Sequence, residues 1–293
     1  MARRPTPTLR RRELGARLRR LRLDKGMTAE DVAQALMVSP TKISRLETGA
    51  RGVNARDVRD LCGIYGVSDD ERERLMTLAK QSREPSWWQQ DDTEYTTFID
   101  LEAGAASIAE YKADVVPGLL QTQAYARAMI EATLPDPSED RVAQLTTSRE
   151  ERQRLLTGEP GVQLWTVLDE AVVRRVVGSR AIMREQLSVL VERAALPNVD
   201  IQLIPFEMGA HAAMNSTFEI LHFEEAAPDV VYVEGLLGQH YLEGTKELTR
   251  YRRVFDQLRA IALGPRDSMT RLKEIAQNFA DQGVGENLGG SLR

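Results

Sequence analysis

The sequence predicts two domains of different class: an all-α unit of five helices over residues 9–83, then an α+β unit over residues 93–283 with a largely antiparallel sheet. Three observations carry this. Before residue 83, apolar residues recur at spacings of three and four, and the segments open on capping residues. Around residues 84–92, SREPSWWQQDD combines a proline, two adjacent tryptophans and a shift in charge, which marks a linker. Beyond it, short runs rich in β-branched and aromatic residues stand among helical patterns.

Residues 1–8, MARRPTPT, hold two prolines and no apolar pattern. They suit a flexible basic arm that either reaches a neighbouring groove or stays unstructured. A first helix is expected from Leu9 to Lys25, with Leu14, Leu18 and Leu21 on one stripe and Gly26 as its stop. Thr28 caps a second helix, Asp31 stands where a capping-box acid reaches back, and Val32, Ala33 and Leu36 face inward. Met37 and Val38 make the turn. Ser39 caps a third helix, and Pro40 takes its first position, where a missing N–H is harmless. Ile43 and Leu46 form its inner stripe and Gly49 ends it. Asn54 with Asp57 opens a fourth helix. Ser68 with Glu71 opens a fifth, with Leu75 and Leu78 inside. Cys62 shares the inner side of the fourth with Val58, Leu61 and Tyr65, so core packing is expected of it. As the one cysteine, it excludes an intramolecular disulfide and suits a reducing compartment.

The third helix has an informative outer face. With Ile43 and Leu46 inside, Thr41, Ser44, Arg45 and Thr48 fall on the other side. Short polar groups around one long cation pack poorly, but they can read a DNA major groove, where Arg grips a guanine edge in two places. A helical hairpin with a solvated face has the same spacing.

Charge is divided unevenly. Residues 1–83 hold 19 Lys/Arg against 11 Asp/Glu, and the rest hold 20 against 33, so a module of +8 precedes a body of −13 within a net charge of −5. A positive module on an acidic chain can hold phosphate locally. With 293 residues and 42% hydrophobic content, the chain can bury one large core or two modest ones. No apolar run approaches the roughly 20 residues that span a bilayer. The basic N-terminus lacks the apolar segment of a secretory signal. A cytoplasmic protein without a membrane partner is expected.

In the second domain, helices are expected at Glu94–Ala105, Thr122–Ala132, Ser138–Leu156, Ser179–Ala195, Thr245–Leu263 and Ser268–Ala280. Strands are expected at IAEYKADVV, VQLWTVLD, VDIQLIPF, TFEILHF and DVVYVEG. The glycine-rich tail, residues 284–293, reads as disordered. Trp87 and Trp88 either dock the two domains or form a patch for a partner. The turn VPGLLQT, with Gln121, Thr122 and Tyr125, is a candidate functional surface. The same residues also suit a strand-to-helix turn capped by Thr122.

Nothing supports catalysis. Asp169 and Glu170 are adjacent and point different ways, which suits a salt-bridged strand end with Arg174 and Arg175. His211, His222 and His240 lack metal-binding spacing, and His211 reads as part of an exposed polar loop. No phosphate-binding loop, dinucleotide fingerprint or nucleophile elbow occurs. No catalytic residue, metal or cofactor is expected.

Two resemblances follow. LRRLRLDKGMTAEDVAQAL, VSPTKISRLETG and NARDVRDLCGIYGV resemble the helix-turn-helix domain of Xre and lambda-repressor regulators over about Leu9–Ser82. Thr28, Val32 and Ala33 fit the family's second helix, and Ile43, Glu47 and Gly49 the end of its third. The resemblance implies that Arg22 and Glu47 pair, as a structural joint. The stretches EYKADVVPGLLQTQAYARAMI, LDEAVVRRVVGS, ALPNVDIQLIPFEMGAH and FEILHFEE resemble the uncharacterised C-terminal domain of antitoxin-like Xre regulators of actinobacteria, over about residues 90–275. It implies a partner protein or signal bound by the C-terminal part, the partner being a small protein encoded nearby.

The expectation is a homodimer on double-stranded DNA that places two recognition helices in successive major grooves. Arg45 would read a base, guanine being the best fit, with Thr41 and Ser44 making supporting base or phosphate contacts, Thr48 on the same DNA-binding face, and the Pro40 ring against a thymine methyl. Thr28, Lys42 and Arg51 would hold phosphates. The competing expectation is an antitoxin-like protein that sequesters a small partner and binds DNA only for autoregulation. A sensor of a small apolar ligand is a third.

Overall fold

The computed structural model describes residues 6–50, 52–84, 96–224, 227–236 and 238–285. Arg51, Trp87, Trp88, the linker, the first five residues and the tail from 286 lie outside the described residues. The chain divides into two compact units, one running to Ala106 and including His222–Asp229, the other made of Ser107–Leu221 and the residues from Val230 onward.

The first unit is helical: α1 (Pro7–Asp24), α2 (Ala29–Ala35), α3 (Pro40–Glu47), α4 (Ala55–Tyr65), α5 (Asp69–Gln81) and α6 (Thr96–Gly104). Each of α1 to α5 begins on a side-chain cap, in turn Thr6, Thr28, Ser39, Asn54 and Ser68. The core joins Leu14 and Leu18 of α1 to Val32, Ile43, Leu46, Val58, Leu61, Cys62, Tyr65 and Leu75. Burial pushes the Cys62 thiol above its usual range. Of the arm expected over residues 1–8, residues 6–8 belong to the helix instead, since Thr6 accepts from Leu9 N and Pro7 is the first residue of α1. Pro7 sits at the first helical position, where its missing N–H is tolerated. The α1 start is held by α6: the Thr6 hydroxyl donates to the Asp100 carbonyl at 2.9 Å, and the Thr8 hydroxyl to the Asp100 carboxylate. The Glu94–Ala105 helix, expected in the second domain, thus begins at Thr96 and packs with the first unit.

The second unit is a six-stranded sheet with helices: β1 (Ser107–Lys112), α7 (Gln123–Thr133), α8 (Glu139–Arg152), α9 (Arg154–Thr157), β2 (Gln163–Asp169), α10 (Glu170–Arg174), α11 (Arg180–Arg193), β3 (Val199–Ile204), β4 (Phe218–His222), β5 (Val230–Gly235), β6 (Gly238–Leu242), α12 (Thr245–Ile261) and α13 (Pro265–Gly285). Strand order is β3-β2-β1-β4-β5-β6. The sheet is mixed, not largely antiparallel. β1, β2 and β3 pair in parallel, with Glu110 opposite Thr166 and Thr166 opposite Ile201, whereas β4, β5 and β6 pair antiparallel. The reason is connectivity. Helices α7 to α9 separate β1 from β2, and α10 and α11 separate β2 from β3, so each strand is returned to the same end before the next begins.

One sheet face packs Tyr111, Val167, Ile204, Phe218, Ile220 and Val231 against Phe255 and Leu258 of α12. Within the sheet Lys112 Nζ lies 2.6 Å from Glu219 and 3.9 Å from Glu110, whose carboxylate also accepts from the Thr166 hydroxyl. Burial alone would lower the Lys112 pKa, but the two carboxylates outweigh it and hold the ammonium charged. Expected strand IAEYKADVV ends at Lys112, and Val116 beyond it is core. α10 and β6 are too short to show periodicity in the sequence.

Candidate nucleic-acid interface

The geometry of the first unit centres on α2, the turn and α3. Thr28 and Asp31 complete a reciprocal capping box: the Thr28 hydroxyl accepts from Asp31 N at 3.1 Å, and Thr28 N donates to Asp31 Oδ2 at 2.8 Å. Those two bonds hold the Asp31 carboxyl below its usual range. The chain reverses at Met37, which takes φ of 53° with its side chain in solvent. Ser39 then caps α3 by accepting from Lys42 N at 3.2 Å.

On α3 Ile43 and Leu46 are buried, and Pro40, Thr41, Ser44, Arg45 and Thr48 are exposed. Arg45 has no acidic partner among the described residues. The Thr48 hydroxyl donates to the Ser44 carbonyl at 3.0 Å. Lys42 is placed differently from the expectation of a phosphate-holding cation: its ammonium pairs with Asp57 at 3.0 Å, and both side chains are largely shielded. Sequence reasoning missed this pair because Asp57 reads as the first-turn acid of α4, where Asn54 caps its N–H at 2.6 Å.

Arg22 of α1 grips Glu47 of α3 in two places, Nε to Oε1 at 2.6 Å and Nη2 to Oε2 at 2.9 Å, and gives a third bond to the Met27 carbonyl at 2.7 Å. The Glu47 carboxylate holds the guanidinium above its usual range. α1 and α3 touch at Gly15, where a Cβ would stand 2.6–2.9 Å from backbone atoms of Leu46 and Glu47. Much of the charge on α1 is internal: Arg12 and Arg22 are buried, Arg10 pairs with Glu13, and Arg17 pairs with Glu13 and Glu71. Arg19, Arg20 and Lys25 are exposed.

The candidate surface at VPGLLQT is not a surface. Gln121, Thr122 and Tyr125 are buried. Gln121 donates to the Val116 carbonyl at 2.7 Å and accepts from Arg149 at 2.9 Å; Thr122 N donates to Gln186 Oε1 at 2.7 Å, and its hydroxyl caps α7. The Tyr125 hydroxyl accepts from Val116 N at 3.2 Å. Polar types there satisfy a buried turn. The His211 side chain is likewise buried rather than part of an exposed loop, 3.2 Å from the Tyr111 hydroxyl and 3.5 Å from Asp169, with Nδ1 accepting from Ala213 N. Asp169 caps α10, while Glu170 bonds Arg174 and accepts from Phe206 N, so the two acids do separate structural work. Among the described residues no three His, Cys, Asp or Glu side chains gather as metal ligands, and no helix is long and apolar enough to cross a membrane.

Comparison with known families places a helix-turn-helix domain at residues 13–75 and a domain of unknown function (DUF5753) at residues 95–274. Among solved structures, the clp gene regulator ClgR from C. glutamicum is 35% identical over 27% of this chain and 96% of that one, with a TM-score of 0.21. Comparison with curated proteins returns no match. The second match covers more than half of the sequence, so the chain belongs to the DUF5753 family and carries a helix-turn-helix domain, the fold of DNA-binding transcription regulators, ahead of it.

Proposed function

We propose that this chain is a sequence-specific transcription regulator that binds double-stranded DNA as a homodimer, with α3 in the major groove and residues 93–283 responding to a partner protein or signal. The observation that carries the reading is Arg45: a guanidinium with no acidic partner among the described residues, on the solvent side of a helix whose other side is locked into the core. Arg45 reads a base, Thr41 and Ser44 support it, and Thr28 holds a phosphate. Arg45→Ala should cost about 1–3 kcal/mol on the cognate duplex and relax one base position. Binding titrations on cognate and random duplexes test this. Unchanged affinity for both would remove Arg45 from its role.

A partner-binding role for the second unit, up to an antitoxin-like one, is supported by a single loop after β3. Phe206, Met208 and Met214 there are 56%, 45% and 60% exposed, an apolar concentration that water disfavours and a protein surface would cover. Stoichiometric co-purification of a small protein, lost when Met208 and Met214 become Gln, would favour it.

A further inference from the structure

We propose that a cleft at the β3 edge of the second unit is a binding site for a small organic cation, an amine or guanidine with a second charged end. The cleft measures about 440 Å3 and is bounded by Trp165 of β2, Asp200 and Gln202 of β3, and Asp256 and Arg259 of α12.

Its floor is fixed by a chain of bonds. Trp165 Nε1–H donates to Gln202 Oε1 at 2.9 Å, and Gln202 Nε2 donates to the Leu263 carbonyl at 3.0 Å. Neither side chain can turn without breaking that chain, and Gln202 is buried. Asp200 is the register partner of Trp165 on the neighbouring strand, so it stands beside the indole. Asp256 lies one turn before Arg259 on α12, whose Phe255 and Leu258 anchor the helix in the core. Trp165 and Gln202 are fixed, whereas the Asp200 and Asp256 carboxylates stand exposed at the rim.

A cation already occupies the ring face. The Arg259 guanidinium carbon is 3.4 Å from the Trp165 ring centroid. Among the described residues its Nε is buried without a hydrogen-bond partner, and its ion pair with Asp256 is long at 3.5 Å. An aromatic face, not a set of hydrogen bonds, therefore holds this guanidinium. Two carboxylates against one guanidinium leave the lining negative, which disfavours phosphates and carboxylates as occupants. Asp200 has no cation of the protein beside it among the described residues. Arg259 behaves as a resident surrogate. Its side chain is 36% exposed, so rotation about its own bonds uncovers the indole without moving α12. An incoming guanidinium or ammonium takes the ring face, its second charged end meets Asp200, and Arg259 turns toward Asp256.

The test uses the full chain with Trp87→Phe and Trp88→Phe, so that Trp165 fluoresces alone. Agmatine and putrescine are titrated at constant ionic strength, with calorimetry in parallel. A saturable signal is expected, weakened about tenfold by Asp200→Asn through the loss of one charge-assisted contact. Arg259→Gln should tighten binding, because the internal competitor is gone; a merely structural Arg259 would give weaker binding or none. A response that never saturates, or that Asp200→Asn leaves unchanged, overturns the site. Weaker binding in Arg259→Gln overturns the surrogate.

Discussion

Breaking the joint between α1 and α3 gives the sharpest test of how α3 is held. Arg22 and Glu47 meet through two parallel bonds of 2.6 and 2.9 Å, with side chains only 10% and 7% exposed. Arg22→Met leaves the shielded Glu47 carboxylate, and Glu47→Leu leaves the Arg22 guanidinium with only the Met27 carbonyl, each without its opposite charge, which costs about 3–5 kcal/mol. Glu47→Gln keeps the shape and one acceptor, so about 2 kcal/mol is expected. The double variant Arg22→Met/Glu47→Leu removes both charges and should be milder than the sum of its parts by at least about 2 kcal/mol. Because the chain has two compact units, a single unfolding free energy is ill defined. Amide hydrogen exchange within α1 and α3 of the full chain is the appropriate measure. If the double variant equals the sum of the singles to within about 0.5 kcal/mol, the pair is not coupled and the joint lies elsewhere.

Three further outcomes follow. Gly15→Ala puts a methyl 2.6 Å from a backbone carbonyl, so α1 and α3 must part, at about 1–3 kcal/mol, read as a lowered melting temperature. Asp57→Asn frees the Lys42 ammonium, and DNA affinity should rise with a salt slope steeper by about one; an unchanged slope means that Lys42 meets no phosphate. Burial raises the phenols of Tyr65, Tyr111 and Tyr125 above their ordinary 10.0 and the Cys62 thiol above 9.0. The folded chain keeps protons there that the unfolded chain releases, so stability holds below pH 9 and falls above it. The slope grows by about 1.4 kcal/mol per pH unit for each group fully ionised in the unfolded state only. Denaturant titrations at pH 8 and 11 that agree would refute this.

The helical unit was legible because its signals are local. Thr28, Ser39, Asn54 and Ser68 each cap where a polar residue precedes an apolar stripe, and the structure uses each one within its own first turn. The sheet was not legible to the same depth. The three runs after residue 198 suggested antiparallel pairing for the whole, yet β1 and β2, separated by helices, needed the crossover rule to be seen as parallel. Gln121 and His211 failed for a different reason. A polar side chain in a loop looks solvated in sequence, and only tertiary packing decides whether it closes over a buried turn. The Lys42–Asp57 pair lies across two helices, where spacing along one of them carries no information.

The hydrogen bonds of α2 and α3 divide their polar residues by what they have left to give a duplex. The Thr28 hydroxyl accepts from Asp31 N, so its own proton remains available to a phosphate oxygen. The Thr48 hydroxyl already donates to the Ser44 carbonyl, so toward DNA it can only accept, from a base amino group and never from an unprotonated phosphate. The Ser39 oxygen accepts from Lys42 N and sets the angle at which α3 leaves the turn. Among the described residues the side chains of Thr41, Ser44 and Arg45 have no partner, so they keep their full bonding capacity. Under the proposed function, these three donors on one exposed face, flanked by hydroxyls already engaged, concentrate sequence discrimination on a few base pairs. In that proposal, backbone affinity comes mostly from cations outside α3, because Lys42 is paired with Asp57.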